Sequence, residues 1–187
     1  MEFIEKNNGN LIKDLCDWKL TKSEFEAKTD FKADFQQLNS LLDETENSVT
    51  ENNDNQYFDA IFWTLPCILS LEEKANLFRK YLLKNWHHEH EEIAGSFQGF
   101  FYNDKDNIQV LLQAIDNIPN YLNRNDLKYP YIRKLIYAIG AQPEPFNIET
   151  LEKLASETID MQIKELALHQ IKKRRELGRW EAAKNLQ

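Results

Sequence analysis

The residues with most chemical potential in this 187-residue chain are crowded into one stretch, His87-His88-Glu89-His90-Glu91-Glu92, which holds three of its four histidines. On a helix, His87 would share a face with His90, three residues on, and with Glu91, four residues on. Imidazole nitrogen and carboxylate oxygen together suit Zn²⁺ or another transition ion. The stretch lacks the HExxH spacing, however, and no further ligand is marked by spacing elsewhere. The plainer reading is a polar turn between helices, in which Trp86 packs while His90 and Glu91 cap the helix that follows. No metal and no cofactor are expected.

Other reactive groups have weaker settings. Cys16 and Cys67 lie within apolar helical patterns, which disfavours a thiolate and fits the free thiols of a cytosolic protein. Gly95-Ser96-Phe97 is not a GxSxG elbow. None of the five glycines falls in GxGxxG or GxxxxGK[ST], so a phosphate-cradling loop is excluded. Carboxylates are plentiful, but on helices they read as solvated faces, indistinguishable from a glycosidase pair. Lys172-Lys173-Arg174-Arg175 reads as a cationic helix end meeting the macrodipole. Its alternative, a nucleic-acid contact, needs a broad cationic surface. A non-enzymatic protein is the expectation.

Binding chemistry is better represented. Tyr102, Tyr121, Tyr129 and Tyr131 fall at expected helix ends and turns, several near Asp104, Asp106 or Asp126. Tyrosine beside carboxylate is a common interface pairing, an anchor with a steering charge. The plainer alternative has these rings plugging the ends of the core. The net charge of −8 is uneven: residues 1–56 carry 6 basic and 13 acidic groups, residues 57–126 carry 6 and 10, and residues 127–187 carry 11 and 8. An acidic body repels nucleic acid and attracts a cationic partner. The expected partner-contact residues are Glu89, Glu91, Glu92, Tyr102, Asp104, Asp106, Tyr129 and Tyr131.

The elements that must position these residues read as helices throughout. Five glycines and five prolines are too few for the turns of a sandwich, barrel or propeller. Leu11, Ile12, Leu15 and Trp18 recur at helical spacing, as do Phe31, Phe35, Leu38, Leu41 and Leu42. Thr21 with Glu24, and Ser70 with Glu73, form capping boxes. Glu44–Gln56, with one apolar residue in thirteen, reads as a mobile loop between an N-terminal cap (1–56) and helix-pair repeats (57–187) of a single domain. Pro66 should kink or end the helix of Tyr57–Leu69. Stripes follow at Leu71, Ala75, Phe78, Leu82 and Leu83, and at Ile93, Ala94, Phe97, Phe100 and Phe101. Asp106, Asn147 and Asp160 are expected caps, Pro130 an early helical residue and Gly140 a C-terminal cap. Trp180, Ala183 and Leu186 read as a terminal cap. The N-terminus carries acids and no apolar core of a signal peptide, and Ala60–Leu71 is too short to span a bilayer, so a cytoplasmic protein without membrane contact is expected.

The implied period of about 30–40 residues lies in the range of α-solenoids, whose units bury their apolar faces only by stacking. YIRKLIYAIG (Tyr131–Gly140), followed by ETLEKLAS and IKELALHQI, and WHHEHEEIAGSFQ (Trp86–Gln98), resemble HEAT repeats. Over about Leu71–Arg175 the chain resembles bacterial HEAT-repeat-like proteins, some of them immunity proteins of polymorphic-toxin and contact-dependent growth inhibition systems. The resemblance implies an all-α, α-solenoid-like array of antiparallel helix pairs with an N-terminal helical hairpin. It implies that Trp86, His87, His90, Glu91, Ile93 and Gln98 are repeat-forming positions without a catalytic role. It also implies a protein that neutralises a basic toxin domain by binding it. The alternatives are a HEAT-like scaffold for another intracellular partner, and a metal-dependent or nucleic-acid-acting enzyme.

Overall fold

The structure is a computed structural model and describes residues 9–29, 34–52, 55–64, 69–101 and 103–184. It is all-α. Among the described residues there are ten helices and no strand: α1 (Gly9–Cys16), α2 (Lys22–Lys28), α3 (Phe35–Asn52), α4 (Gln56–Thr64), α5 (Leu71–Leu82), α6 (His90–Gly99), α7 (Asp106–Asp116), α8 (Asn125–Ala141), α9 (Phe146–Glu157) and α10 (Met161–Lys184). Two compact units emerge, Met1–Lys80 with Trp86–Glu89, and Tyr81–Asn85 with His90–Gln187. No helix among the described residues is long and apolar enough to cross a membrane.

In the first unit α4 packs against α1 and α3, and α1 against α2. The two capping boxes form as their sequences dictate. Glu24 N–H donates to Thr21 Oγ1 (3.3 Å) while Thr21 N–H donates to Glu24 Oε2 (2.8 Å). Ser70 and Glu73 repeat the exchange at 2.9 and 3.2 Å. The expected loop at Glu44–Gln56 is corrected: α3 runs through it to Asn52. Its buried positions Leu38, Leu41, Leu42, Thr45 and Val49 keep one helical phase because Thr45 fills an apolar position. The Thr45 hydroxyl is satisfied internally by the Leu42 carbonyl at 2.6 Å. Trp18 is not on the α1 stripe. It follows the helix at φ 57° with its indole 85% exposed, while Lys19 and Leu20 N–H both bond the Asp14 carbonyl. Phe31, Pro66 and Cys67 lie outside the described residues, as does Leu186.

On α5 the buried stripe is Ala75, Leu77, Phe78, Tyr81 and Leu82, with Leu71 exposed; on α6 His90 takes an inner position, and Phe100, just past the helix, is exposed.

The second unit is organised around α8, which packs against α6, α7, α9 and α10; α9 and α10 also pack together. Tyr131, Ile132, Leu135, Ile136, Ala138 and Ile139 of α8 are all fully buried. Burial of each large apolar side chain contributes about 1.5–3 kcal/mol, which makes this helix the core. Pro130 is the sixth residue of α8 rather than an early one, so the helix lacks the N–H that would bond the Asp126 carbonyl. Gly140 does not end the helix in a left-handed conformation; it stays helical, and its missing side chain leaves room for Gln170 of α10.

A local repeat underlies the second unit. Asn107 and Asn147 are each the second residue of a helix, α7 and α9, and each is buried. Each donates its side-chain amide to a carbonyl of the segment before it, Asn107 to Phe101 and Asn147 to Gly140 (3.1 Å). In the same register, Leu111 matches Leu151 and Ile115 matches Ala155, all buried. Thus neither Asp106 nor Asn147 is the side-chain cap expected; Lys105 and Pro145 occupy those positions without a side-chain hydrogen bond. Asp160 does cap α10, accepting from Gln162 (3.0 Å) and Ile163 (3.3 Å) N–H.

Candidate functional site

Two residues of the histidine stretch, His87 and His90, are used for packing. Residues 86–89 form a turn, so the helical spacing of His87 to His90 and Glu91 does not hold there. His87 is fully buried, stacked on Phe58 at 4.5 Å, and its Nδ1 accepts the Glu89 N–H at 3.1 Å. In the second unit, His90 is fully buried and uses both ring nitrogens: Nε2 meets the Lys84 carbonyl at 2.8 Å, so it carries the proton, and Nδ1 meets the Tyr121 hydroxyl at 3.1 Å. Among the described residues no group of three or more His, Cys, Asp or Glu side chains could hold a metal ion.

The expected contact residues are scattered. Glu89 accepts from Trp63 Nε1 at 2.9 Å, within the first unit. Asp104 Oδ1 accepts the Asp106 N–H at 2.9 Å, and Asp106 is exposed at the start of α7. Tyr102 lies outside the described residues. Tyr131 is corrected from surface anchor to core: it is fully buried, and its hydroxyl has no hydrogen-bond partner among the described residues. Burial pushes that hydroxyl far above the usual phenol range, with Tyr121 and Glu91 adding to the shift.

Glu91, Glu92 and Tyr129 are different, because the structure brings them onto one surface. A groove of about 430 Å³ between α6 and α8 is lined by Glu91, Glu92, Gly95, Gln98, Arg133, Lys134 and Tyr137. A second, of about 520 Å³ between α8 and α10, is lined by Tyr129, Pro130, Arg133, Gln162, Glu165, Leu166 and His169. They share Arg133, so α8 presents its polar side to both. That side is the complement of the buried stripe: Tyr129, Arg133 and Tyr137 recur every fourth residue and lie along one line.

Several polar contacts hold the walls. Lys134 Nζ pairs with Glu91 at 3.2 Å, and Gln98 donates to the Lys134 carbonyl at 3.1 Å. Tyr129 donates to Asp160 Oδ2 at 3.1 Å, and Lys128 Nζ stands 5.1 Å from the Tyr129 ring centroid. Burial pushes the Asp160 carboxyl up, but the Ile163 N–H, the Tyr129 hydroxyl, the Gln162 N–H and the Lys128 charge outweigh it and hold the group below its usual range. The same bond raises the Tyr129 hydroxyl. Lys173 Nζ is 4.8 Å from the Tyr137 ring centroid. A third groove, of about 590 Å³, lies between α7 and α9 over Ile108, Leu112 and Leu154.

Arg133, Lys134, Tyr137 and His169 are not among the residues expected from the sequence. Their signal was the polar stripe of α8 opposite its apolar one, visible once the two helices are known to be neighbours. The arrangement offers guanidinium, ammonium, carboxylate and phenol groups over two open clefts. No family model, curated protein or solved structure matches the chain.

Proposed function

We propose that the protein is a non-enzymatic binding module that docks a protein partner across α6, α8 and α10, and that it acts as an immunity protein of HEAT-like build. The observation that carries this reading is the pair of grooves meeting at Arg133, a continuous surface with aromatic anchors and both signs of charge. Such a mixture is the composition of a protein interface, where a few aromatic and arginine side chains dominate affinity. The recurrence of the Asn107 and Asn147 staples supports a helix-pair repeat in the second unit. The net charge of −8 would accelerate encounter with a basic toxin domain. Inhibition would then be steric, the partner's own cleft being covered.

The test is to produce the protein encoded immediately upstream alone and together with this chain. The expected result is growth arrest relieved by co-expression, with a complex recovered by size exclusion. An upstream product that is harmless, or whose toxicity persists, overturns the immunity reading. A harmless product that still binds in the grooves favours the scaffold reading.

A further inference from the structure

On α8 the line Tyr129–Arg133–Tyr137 is about 12 Å long at the helical rise. Both ends are occupied. The Tyr129 ring is covered by Lys128 and its hydroxyl is tied to Asp160. The Tyr137 ring meets Lys173, and the His169 ring stacks beside it at 6.5 Å. The centre differs. Arg133 is exposed, lines both grooves, and makes no ion pair, ring contact or side-chain hydrogen bond among the described residues. A guanidinium is weakly hydrated and presents its N–H groups in a rigid fork that matches a carboxylate.

We propose that Arg133 is the recognition point of this face and takes a carboxylate side chain of the protein partner, whose neighbouring apolar side chain rests on Pro130 and Leu166. The proposal rests on the docking reading above. Charge complementarity selects the occupant. Glu92 lines one groove and Glu165 the other, so the Arg133 guanidinium stands between two acids. That pattern accepts one carboxylate flanked by cationic groups, as an acidic residue on a basic protein would be, and repels a run of phosphates.

The test is an NMR titration of the full chain with two peptides, acetyl-Lys-Glu-Leu-Lys-amide and its Gln counterpart, at low salt, with an eight-nucleotide oligothymidylate in parallel. The Glu peptide should shift the Arg133 Nε–H and Tyr137 ring signals saturably, and the Gln peptide should bind about tenfold more weakly. Arg133→Gln, checked for fold by circular dichroism, should bring the Glu peptide down to the level of the Gln peptide. Arg133→Lys should recover only part of the difference, since it restores charge without the fork. Equal binding of both peptides, undiminished binding to Arg133→Gln, or tighter binding of the oligonucleotide overturns the proposal. If the upstream protein binds Arg133→Gln as tightly as the unaltered chain, the subsite fails while the docking reading stands. If the peptides behave as expected but no toxin is neutralised, the immunity reading alone fails.

Discussion

Gly140→Ala tests the packing of α8 on α10, which shapes one of the two grooves. Gly140 lies within helix α8, where alanine is intrinsically favoured by about 1 kcal/mol. A Cβ there would come within 2.7 Å of Gln170 Cγ and 2.8 Å of its Cδ, as well as meeting the amide nitrogen. Gln170 is 2% exposed, so its amide cannot swing into solvent. Overpacking of this kind costs about 1–3 kcal/mol, and a contact reaching Cγ belongs toward the upper end. The net expectation is destabilisation by about 1–2 kcal/mol, a Tm lower by about 2–8 °C in a chain of this size. Gln170→Ala removes both the obstacle and a buried Oε1 that has no hydrogen-bond partner among the described residues. On that background Gly140→Ala should stabilise by about 1 kcal/mol, a coupling of about 2–3 kcal/mol between the sites. The assay is urea unfolding of the four proteins, compared at constant m-value. Gly95→Ala is the control: among the described residues nothing lies within 4 Å of the added Cβ, so it should stabilise by about 1 kcal/mol. If Gly140→Ala has the same effect with and without Gln170, the steric reasoning is wrong.

Gln142→Leu should cost about 3 kcal/mol in the same assay, because buried Gln142 donates to the Phe97 and Ala138 carbonyls at 3.0 and 2.8 Å and accepts from Asn107 at 2.9 Å; leaving those groups unpaired carries the desolvation penalty, and a loss under about 1 kcal/mol would show the network to be dispensable. Asp160 gives a pH dependence. Its carboxyl is held below 3.8, so the stability it adds is fully present above the unfolded value and is lost as pH falls through the folded one. Thermal melts from pH 6 to pH 3 should therefore decline less steeply for Asp160→Asn than for the unaltered chain, and parallel declines would contradict the assignment.

Local chemistry in this protein was legible wherever neighbours in sequence are also the partners in space. The two capping boxes and the Asp160 cap need only three or four residues, and they form as read. Thr45 lies beyond that local legibility: its hydroxyl bonds its own helix, so it takes a core position and carries α3 through an apparent loop. Tyr131 is a second case, because a tyrosine near a helix start has the same local sequence whether it faces water or, as here, the core. Of the expected contact residues, Glu91, Glu92 and Tyr129 reach a shared surface, while Glu89, Asp104 and Asp106 are used or placed elsewhere.

The sequence by itself determined that the described chain would be helical, since scarce turn residues and periodic apolar positions are local properties that need no partner. Which helices became neighbours was decided only in three dimensions. The apposition of α6, α8 and α10 leaves Arg133 between two grooves, and the close approach of Gln170 leaves no room for a side chain at Gly140. Packing joins residues dozens of positions apart, and a pattern confined to one helix carries no record of which surface will lie against it.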